Sequence, residues 1–339
     1  MIISRTPYRI SFFGGGTDYP AWYGDHGGAV LATTINKYCY LHCRFLPPFF
    51  EHRTRVVWSM IETVKEHQDI EHPAVRAVIN HLGIEEGLEI HHIGDLPARA
   101  GLGSSSAFAV GLLNALHGLQ GRMASQLELA REAIYVEQEL VADSVGVQDQ
   151  IVTAVGGLNR VDIARDGSFT VSPLLISTQR IQELNDHLML FFTGVSRNAS
   201  TIAADQIQQI PHHQRELTQM LQLVDEAQSV VCGDTDITEF GRLLDESWKL
   251  KQSLSSRIAP DFVNDIYAQA RSAGAVGGKL LGAGGGGFVL VFAPPEAQKA
   301  IRGELSALLE VPVSFERSGS RVIFHEPQEQ LSIKRSATL

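Results

Sequence analysis

The sequence predicts an α+β protein built as two halves that join near residues 165–186. Strand-like and helix-like runs are mixed along the 339 residues without the strict βαβ alternation of a parallel α/β fold. Three glycine-rich turns also follow strand-like runs, in "RISFFGGGTDYP", "DLPARAGLGSSSAF" and "GGKLLGAGGGGFVLVFAPP". The length allows one large domain or two medium ones.

The first half opens on a strand, Ile2 to Phe13, whose apolar run stops at three glycines. "GAVLATTINKYCYLHCRFL" is a second, long strand and "TRVVWS" a third. "PAVRAVINHLG" is a helix, with proline in its first turn and glycine at its end. "GLEIHHIGDL" alternates like a strand and leads into the second glycine turn. A helix is predicted from about Ser104 to Leu119, with Phe108, Leu112, Ala115 and Leu119 on one face. The next starts at Ser125 with a capping box, Ser125 to Glu128, and runs to about Val141. Short strands surround "GGLNRVD" and "FTVSPL". The second half starts on the strand "HLMLFFTGV", and helices are expected over about 199–208, 213–231, 237–254 and 261–272. The third glycine turn joins two strands, and a helix over about 296–309 and two strands close the chain.

The formal net charge is −10 and there is no basic block, which argues against nucleic acid as the main partner. No run approaches the roughly 18 apolar residues of a membrane span. The N-terminus has no apolar core followed by a cleavage site. A cytoplasmic protein without a membrane partner is expected. Cys39, Cys43 and Cys232 lack zinc-type spacing and are expected to be reduced. Cys39 and Cys43 share a strand-like run, where same-face packing is expected.

Three features bear on chemistry. A helix N-terminus exposes about four unpaired N–H groups and the positive end of its dipole. In "GLGSSSA" the glycines let the backbone approach an anion, and the serines add donors or a metal ligand. The plain alternative is a serine cap after a glycine turn. The loop lacks the Gly-Lys-Ser/Thr ending of Walker A, so ATP bound here needs Mg²⁺ and another cation.

Glu137 is the second feature. Leu127, Ala130, Ile134, Glu137 and Val141 recur at helical spacing, and only the glutamate does not suit a core. A buried carboxylate is costly unless paired or metal-bound. The alternative is a helix end rotated so that Glu137 reaches water. Asp149, between two glutamines in "VGVQDQIVTAVGG", is the third: either a helix-entry aspartate or a general base. A hydroxyl loop and two carboxylates together suit Mg²⁺ binding and phosphoryl transfer.

In the first glycine turn, Asp18 or Asp25 either grips substrate hydroxyls or stabilises the turn. "GAGGGG", Gly282 to Gly287, formally satisfies G-x-G-x-x-G, but a strand follows instead of the helix a dinucleotide site needs. A tight turn with close backbone packing is expected.

In their order, these turns resemble the motifs of the GHMP small-molecule kinases, the superfamily of galactokinase, homoserine kinase and mevalonate kinase. Arg9 to Tyr19 is similar to the first motif, "LPARAGLGSSSA" to the phosphate-binding second and "KLLGAGGGGFVLVF" to the third. "TPYRISFFGGGTDYPAWY", with "TINKY", "GVQDQ" and "TGVSRNA", most resembles the D-glycero-D-manno-heptose 7-phosphate kinases. The resemblance implies two domains with ATP between them. Residues 1–175 would form a domain like the second domain of ribosomal protein S5, and residues 176–339 a ferredoxin-like domain.

The resemblance also implies roles. Asp149 would be the catalytic base or orient the attacking hydroxyl, with Arg9 beside it. Ser105 and Glu137 would hold Mg²⁺, and Gly101, Gly103, Ser104, Ser105 and Ser106 would cradle the ATP phosphates. Asp18, with Gly15, Gly16 and Thr17, would bind the sugar. Gly284 to Gly286 would press the third motif against the site. Arg197 is the first candidate for a sugar phosphate. Lys249, Lys251 and Lys279 follow it, although solvated surface positions are expected for them. Trp58 either lies against adenine or packs in the core. His91, His92, His212 and His213 are expected at the surface or in packing.

The implied activity is phosphorylation of the anomeric hydroxyl of D-glycero-D-manno-heptose 7-phosphate. The 1,7-bisphosphate product would feed nucleotide-activated heptose synthesis. The alternatives are the same chemistry on a free hexose, fucose or another sugar phosphate, and a non-catalytic sugar sensor. A monomer or homodimer is expected.

Overall fold

The computed structural model describes residues 1–196 and 199–327. The chain opens with β1 (Ile2–Phe13), α1 (Pro20–His26), β2 (Gly28–Phe45), β3 (Thr54–Val57) and β4 (Ile61–Val64). Then come α2 (Pro73–His81), β5 (Leu88–Gly94), α3 (Ser104–Leu119), α4 (Gln126–Tyr135) and α5 (Gln148–Val155). β6 (Leu158–Ile163), β7 (Phe169–Pro173), α6 (Thr178–Asp186) and β8 (Leu188–Phe192) follow. The helices α7 (Ala199–Gln209), α8 (Gln214–Cys232), α9 (Thr238–Ser253) and α10 (Asp261–Ser272) lead to β9 (Gly277–Leu280) and β10 (Phe288–Phe292). α11 (Gln298–Glu304), β11 (Leu309–Glu310), β12 (Phe315–Glu316) and β13 (Arg321–His325) complete it.

Two sheets organise these elements. In the larger, the strand order is β13-β1-β2-β5-β3-β4, with β6 and β12 also pairing with β2, and β7 with β6. The smaller runs β11-β8-β10-β9, antiparallel throughout. The long strand predicted from "GAVLATTINKYCYLHCRFL" is β2, which pairs with β1, β5, β6 and β12 along its length. Cys39 and Cys43 are free thiols buried in it, on the same face as expected. The last two strands leave the small sheet: β12 pairs with β2 and β13 with β1. A purely sequential division of the chain after residue 175 does not include this return.

α3 is the central helix. Every residue from Ser106 to His117 is buried. One apolar face was predicted, but β1 and β2 lie against the helix on one side and α2, α4 and α5 on others. A helix enclosed in this way is apolar all round.

α4 begins on its predicted capping box, with Ser125 and Glu128 exchanging side-chain and backbone bonds. It does not continue as α-helix to Val141. Val136–Leu140 form a π-helical turn, closed by Val141 N–H on Val136 O at 2.9 Å. Such turns are single departures from the α-helical ladder and recur at functional sites. The buried face is Leu129, Ala130, Ala133, Val136 and Glu137. Leu127, expected on that stripe, lies in the first turn and is 42% exposed. The helix expected over 296–309 is the shorter α11. Its apolar flanks at Ala297 and Leu305 are caps instead of helical residues.

Candidate active site

Arg9 sits within β1 and is 3% exposed. Its Nε and Nη2 donate to Oδ1 and Oδ2 of Asp149 at 2.7 and 2.6 Å. Its Nη1 donates to Gly101 O at 2.7 Å, and its backbone N–H to Leu102 O at 3.0 Å. One side chain therefore joins the first strand, the glycine-serine loop and the start of α5. Such a two-toothed pair fixes geometry as well as charge. Gly103, the N-cap of α3, makes room for it: with φ at +71°, a Cβ there would lie 3.0 Å from Arg9 Cγ.

The third glycine turn closes over the same loop. A Cβ on Gly282, whose φ is +78°, would lie 2.5 Å from Gly101 Cα. A Cβ on Gly287 would meet Ala100 O at 2.4 Å. Close backbone packing is what the sequence predicts here, but Gly284 and Gly286 do not make this contact. They face Ile258 and Val195. Gly282→Ala is expected to cost about 1–3 kcal/mol, since left-handed backbone and overlap both oppose a side chain. Urea unfolding measures that loss, and it should come with a raised KM for ATP.

On the loop itself, Ser105 is exposed at the start of α3 and Ser106 is buried. Ser104 Oγ accepts from Arg99 N–H at 3.1 Å. Ser106 Oγ donates to Glu137 Oε2 at 2.6 Å, and Gln150 Nε2 donates to the same oxygen. The Ser106 hydroxyl is thus directed at the carboxylate, while its backbone N–H stays with the helix N-terminus. Glu137 is 3% exposed. Burial pushes its carboxyl up to about 7, against hydrogen bonds from Ser106, Gln150 and Ser105, and the charge of Asp149 adds to the rise. Its C=O is also capped, by Asp143 N–H at 2.9 Å.

A buried carboxylate with an exposed serine at a helix N-terminus fits Mg²⁺. That ion is commonly held by one or two carboxylates, with phosphate oxygens and water completing its octahedron. Among the described residues no cluster of three or more His, Cys, Asp or Glu is arranged for a metal. Substrate phosphates and water would therefore supply the remaining ligands.

Asp18, 2% exposed, is tied to the same turn that carries Asp149, through Val147 and Gln148. Its Oδ1 accepts from Gly16 N–H at 2.9 Å and its Oδ2 from Gln148 Nε2 at 3.0 Å. Burial raises its carboxyl above the ordinary range, and Asp149 contributes in the same direction. Asp25, the other candidate in this segment, is exposed on α1. Thr17 is fully buried and its hydroxyl donates to Gly14 O and Ala29 O, which locks the turn. Gly15 packs near Ser11 Oγ and Gln148 Nε2. Gly16 lines a small cleft with Tyr19, Gln206, Gln209, His213 and Leu217.

Two lysines expected at the surface are buried here. Lys251 Nζ donates to Gly282 O at 2.6 Å and Lys279 Nζ to Phe12 O at 2.9 Å. Burial pushes Lys251 down to about 8 and Lys279 well below the ordinary lysine value. Asp18 opposes both shifts and Arg9 adds to them. Lys249 is exposed and paired with Asp245. Arg197 lies outside the described residues.

Trp58 is partly buried. Its Nε1 donates to Glu62 at 2.7 Å, and its ring meets His72 edge-on at 4.8 Å. His72 stacks on Phe108 at 4.7 Å, and His92 meets Phe108 edge-on at 5.2 Å. Burial pushes His72 down to about 4 and lowers His92 also, so both rings are neutral at neutral pH.

The sequence reading missed Gln148, Gln150 and the burial of Lys251 and Lys279. The glutamines were visible only as polar residues flanking Asp149. The lysines gave no signal, because their partners are backbone carbonyls distant in sequence.

Known proteins share family patterns and fold with this chain. The GHMP kinases N terminal domain pattern matches residues 64–157, and the GHMP kinases C terminal pattern matches residues 222–311, together over half the chain. The chain is 26% identical over 323 residues to the D-glycero-alpha-D-manno-heptose 7-phosphate kinase of Campylobacter jejuni, covering 89% of this chain and 94% of that one. It is 29% identical to the bifunctional fucokinase/GDP-fucose pyrophosphorylase of Arabidopsis thaliana, over 91% of this chain but 31% of that longer protein. The crystal structure of a D-glycero-D-manno-heptose 1-phosphate kinase from Bacteroides thetaiotaomicron superposes with a TM-score of 0.76 at 23% identity, over 96% of this chain and all of that one. Lactococcus lactis galactokinase, solved with galactose, shares the fold with a TM-score of 0.70 at 17% identity, over 94% of each chain. With both family patterns in order and the two-domain fold shared, the chain belongs to the GHMP kinases and is an ATP-dependent kinase.

Proposed function

We propose that this protein is a sugar kinase that transfers the γ-phosphoryl group of ATP to the anomeric hydroxyl of D-glycero-D-manno-heptose 7-phosphate. The product would be the 1,7-bisphosphate, a precursor for nucleotide-activated heptose. One observation carries the reading. Asp149 bonds Arg9, while its neighbours Gln148 and Gln150 bond Asp18, suited to sugar hydroxyls, and Glu137, which backs a phosphate-type loop. The substrate name comes from the Campylobacter jejuni relative, and the motif resemblance agrees with it.

The residues divide by task. The N-terminus of α3 and Gly101, Gly103, Ser104 and Ser105 face the ATP phosphates, where N–H groups and the dipole favour negative charge. Ser105 and Glu137 would hold Mg²⁺, which when bound neutralises phosphate charge. Trp58, with His72 and His92 around Phe108, offers a neutral aromatic face to adenine. Asp18 and the backbone of Gly15 and Gly16 hold the acceptor. Asp149 orients the acceptor hydroxyl and accepts its proton as the new O–P bond forms and the bond to ADP breaks. Arg9 keeps that carboxylate in place and stabilises charge on the transferred group. Lys251 and Lys279 lie on the acceptor side, where an arriving phosphate favours their charged forms. Arg197 remains a candidate for that same phosphate.

The fucokinase relatives favour a second reading, the same transfer to a free hexose such as fucose. Purified protein with ATP, Mg²⁺ and a panel of sugars and sugar phosphates separates the two. Heptose 7-phosphate is expected to be turned over best, and phosphorus NMR of the product should show a new anomeric phosphate. Preferred turnover of fucose, or a phosphate elsewhere on the sugar, overturns the first reading.

A further inference from the structure

The first turn of α5 presents three side chains in succession, and each engages a different part of the site. Asp149 takes the Arg9 fork. Gln148 donates Nε2 to Asp18 Oδ2 at 3.0 Å, and Gln150 donates Nε2 to Glu137 Oε2. In each pair the amide turns its N–H group, not its oxygen, toward the carboxylate. Each Oε1 then points elsewhere. Both oxygens, Gln148 Oε1 and Gln150 Oε1, are buried without a hydrogen-bond partner among the described residues. Buried orphan acceptors are uncommon. Two of them flank one aspartate of the candidate active site, so each amide is held there for its N–H group and not for its oxygen.

The turn is held in register with the acceptor side. Val147 N–H donates to Asp18 O at 3.1 Å. A Cβ on Gly146 would lie 1.8 Å from Asp18 Oδ2, so the backbone there runs hard against the carboxylate. Gln150, fully buried, faces the donor side along with Ser106.

We propose that Gln148 and Gln150 are positioning residues that serve opposite sides of the transfer. Gln148 sets the Asp18 carboxylate toward the acceptor. Gln150 sets the Glu137 carboxylate toward the Mg²⁺·ATP side. A displacement of α5 by one residue would misplace acceptor, base and metal carboxylate together. The inference rests on the sugar-kinase reading of the site, but not on which sugar is used.

The test is a split in binding constants. Gln148→Met and Gln150→Met keep side-chain length and apolar packing but remove the amide. Gln148→Met is expected to raise KM for the acceptor about tenfold or more, because the Asp18 carboxylate it holds is left without that donor. Its KM for ATP should stay within about twofold of wild type. Gln150→Met is expected to do the reverse: calorimetric affinity for Mg²⁺ with a non-hydrolysable ATP analogue falls about 10–100-fold, the usual effect of losing a group behind a metal ligand. Its acceptor KM should not move. The corresponding Asn variants stay polar but lose reach, and must show the same split. They keep the test valid if a Met variant fails to fold.

The acceptor used is whichever sugar the panel identifies, so a wrong sugar assignment leaves the split readable. If no sugar is turned over, the calorimetric arm alone decides. Equal shifts in both constants, no shift in either, or unchanged calorimetric affinity in the Gln150 variants would overturn the proposal.

Discussion

Asp149→Asn is expected to lower kcat by roughly 10²–10⁴, the usual contribution of a positioned acid or base. Asparagine keeps the size of the side chain but cannot take the proton of the attacking hydroxyl. It also places an NH₂ group against the Arg9 fork, where both Arg9 N–H groups now meet carboxylate oxygens at 2.7 and 2.6 Å. At most one of those bonds survives. A stability loss of about 1–3 kcal/mol should follow, as expected when a buried donor loses its acceptor. ATP binding should remain within about threefold, because Asp149 lies beside the loop and not in its backbone cradle. Steady-state turnover, ATP calorimetry and a thermal melt on one preparation separate these effects. Wild-type turnover by a folded Asp149→Asn protein would remove Asp149 from the mechanism.

Arg9→Met should be nearly as damaging, for a different reason. Arg9 joins β1, the loop at Gly101 and α5 at Asp149. Removing it leaves Gly101 O without that donor and the Asp149 carboxylate unpaired. Breaking a buried pair by deleting one partner costs about 3–5 kcal/mol. The Asp149 side chain is 24% exposed, so a loss near the lower end is expected here. Turnover should fall by roughly 10²–10³, the effect of losing one preorganised donor to developing charge. Arg9→Lys should fall between wild type and Arg9→Met, since an ammonium restores charge but not the two-toothed geometry. Urea unfolding and kcat per folded molecule distinguish the terms. Full kcat in a destabilised Arg9→Met protein would leave Arg9 a purely structural role.

Much of this site could be read from local sequence. The loop was legible because a helix N-terminus and its glycines are contiguous. Glu137 was legible as a carboxylate in an apolar pattern, although the pattern itself was misjudged. Leu127 is exposed and the helix passes into a π turn at Val136. The burial of Glu137 holds in either register, because Ala130, Ala133 and Glu137 share a face in both. The decoy at Gly282 to Gly287 was set aside on the strand that follows, and β10 is that strand.

The third glycine motif was expected to reach the site through Gly284 to Gly286, and its approach instead uses Gly282 and Gly287. Glycines in a run are indistinguishable in sequence. Which of them meets a neighbouring backbone depends on how the turn sits against residues 100 and 101.

The sequence alone determined the chemical kinds present: an anion-binding loop, a misplaced acid, an aspartate at a helix start and a glycine turn carrying Asp18. Each is encoded within a few residues, by helix capping, periodicity or turn chemistry. Tertiary structure decided what these groups face. Asp149 lies 140 positions from Arg9, Gln148 lies 130 from Asp18, and Lys279 lies 267 from Phe12. The partners come together because β1 lies next to α3 and α5 in one core, and α9 packs against β9 of the small sheet. Charge pairing and burial act through space, so the order of the chain could name these residues but not join them.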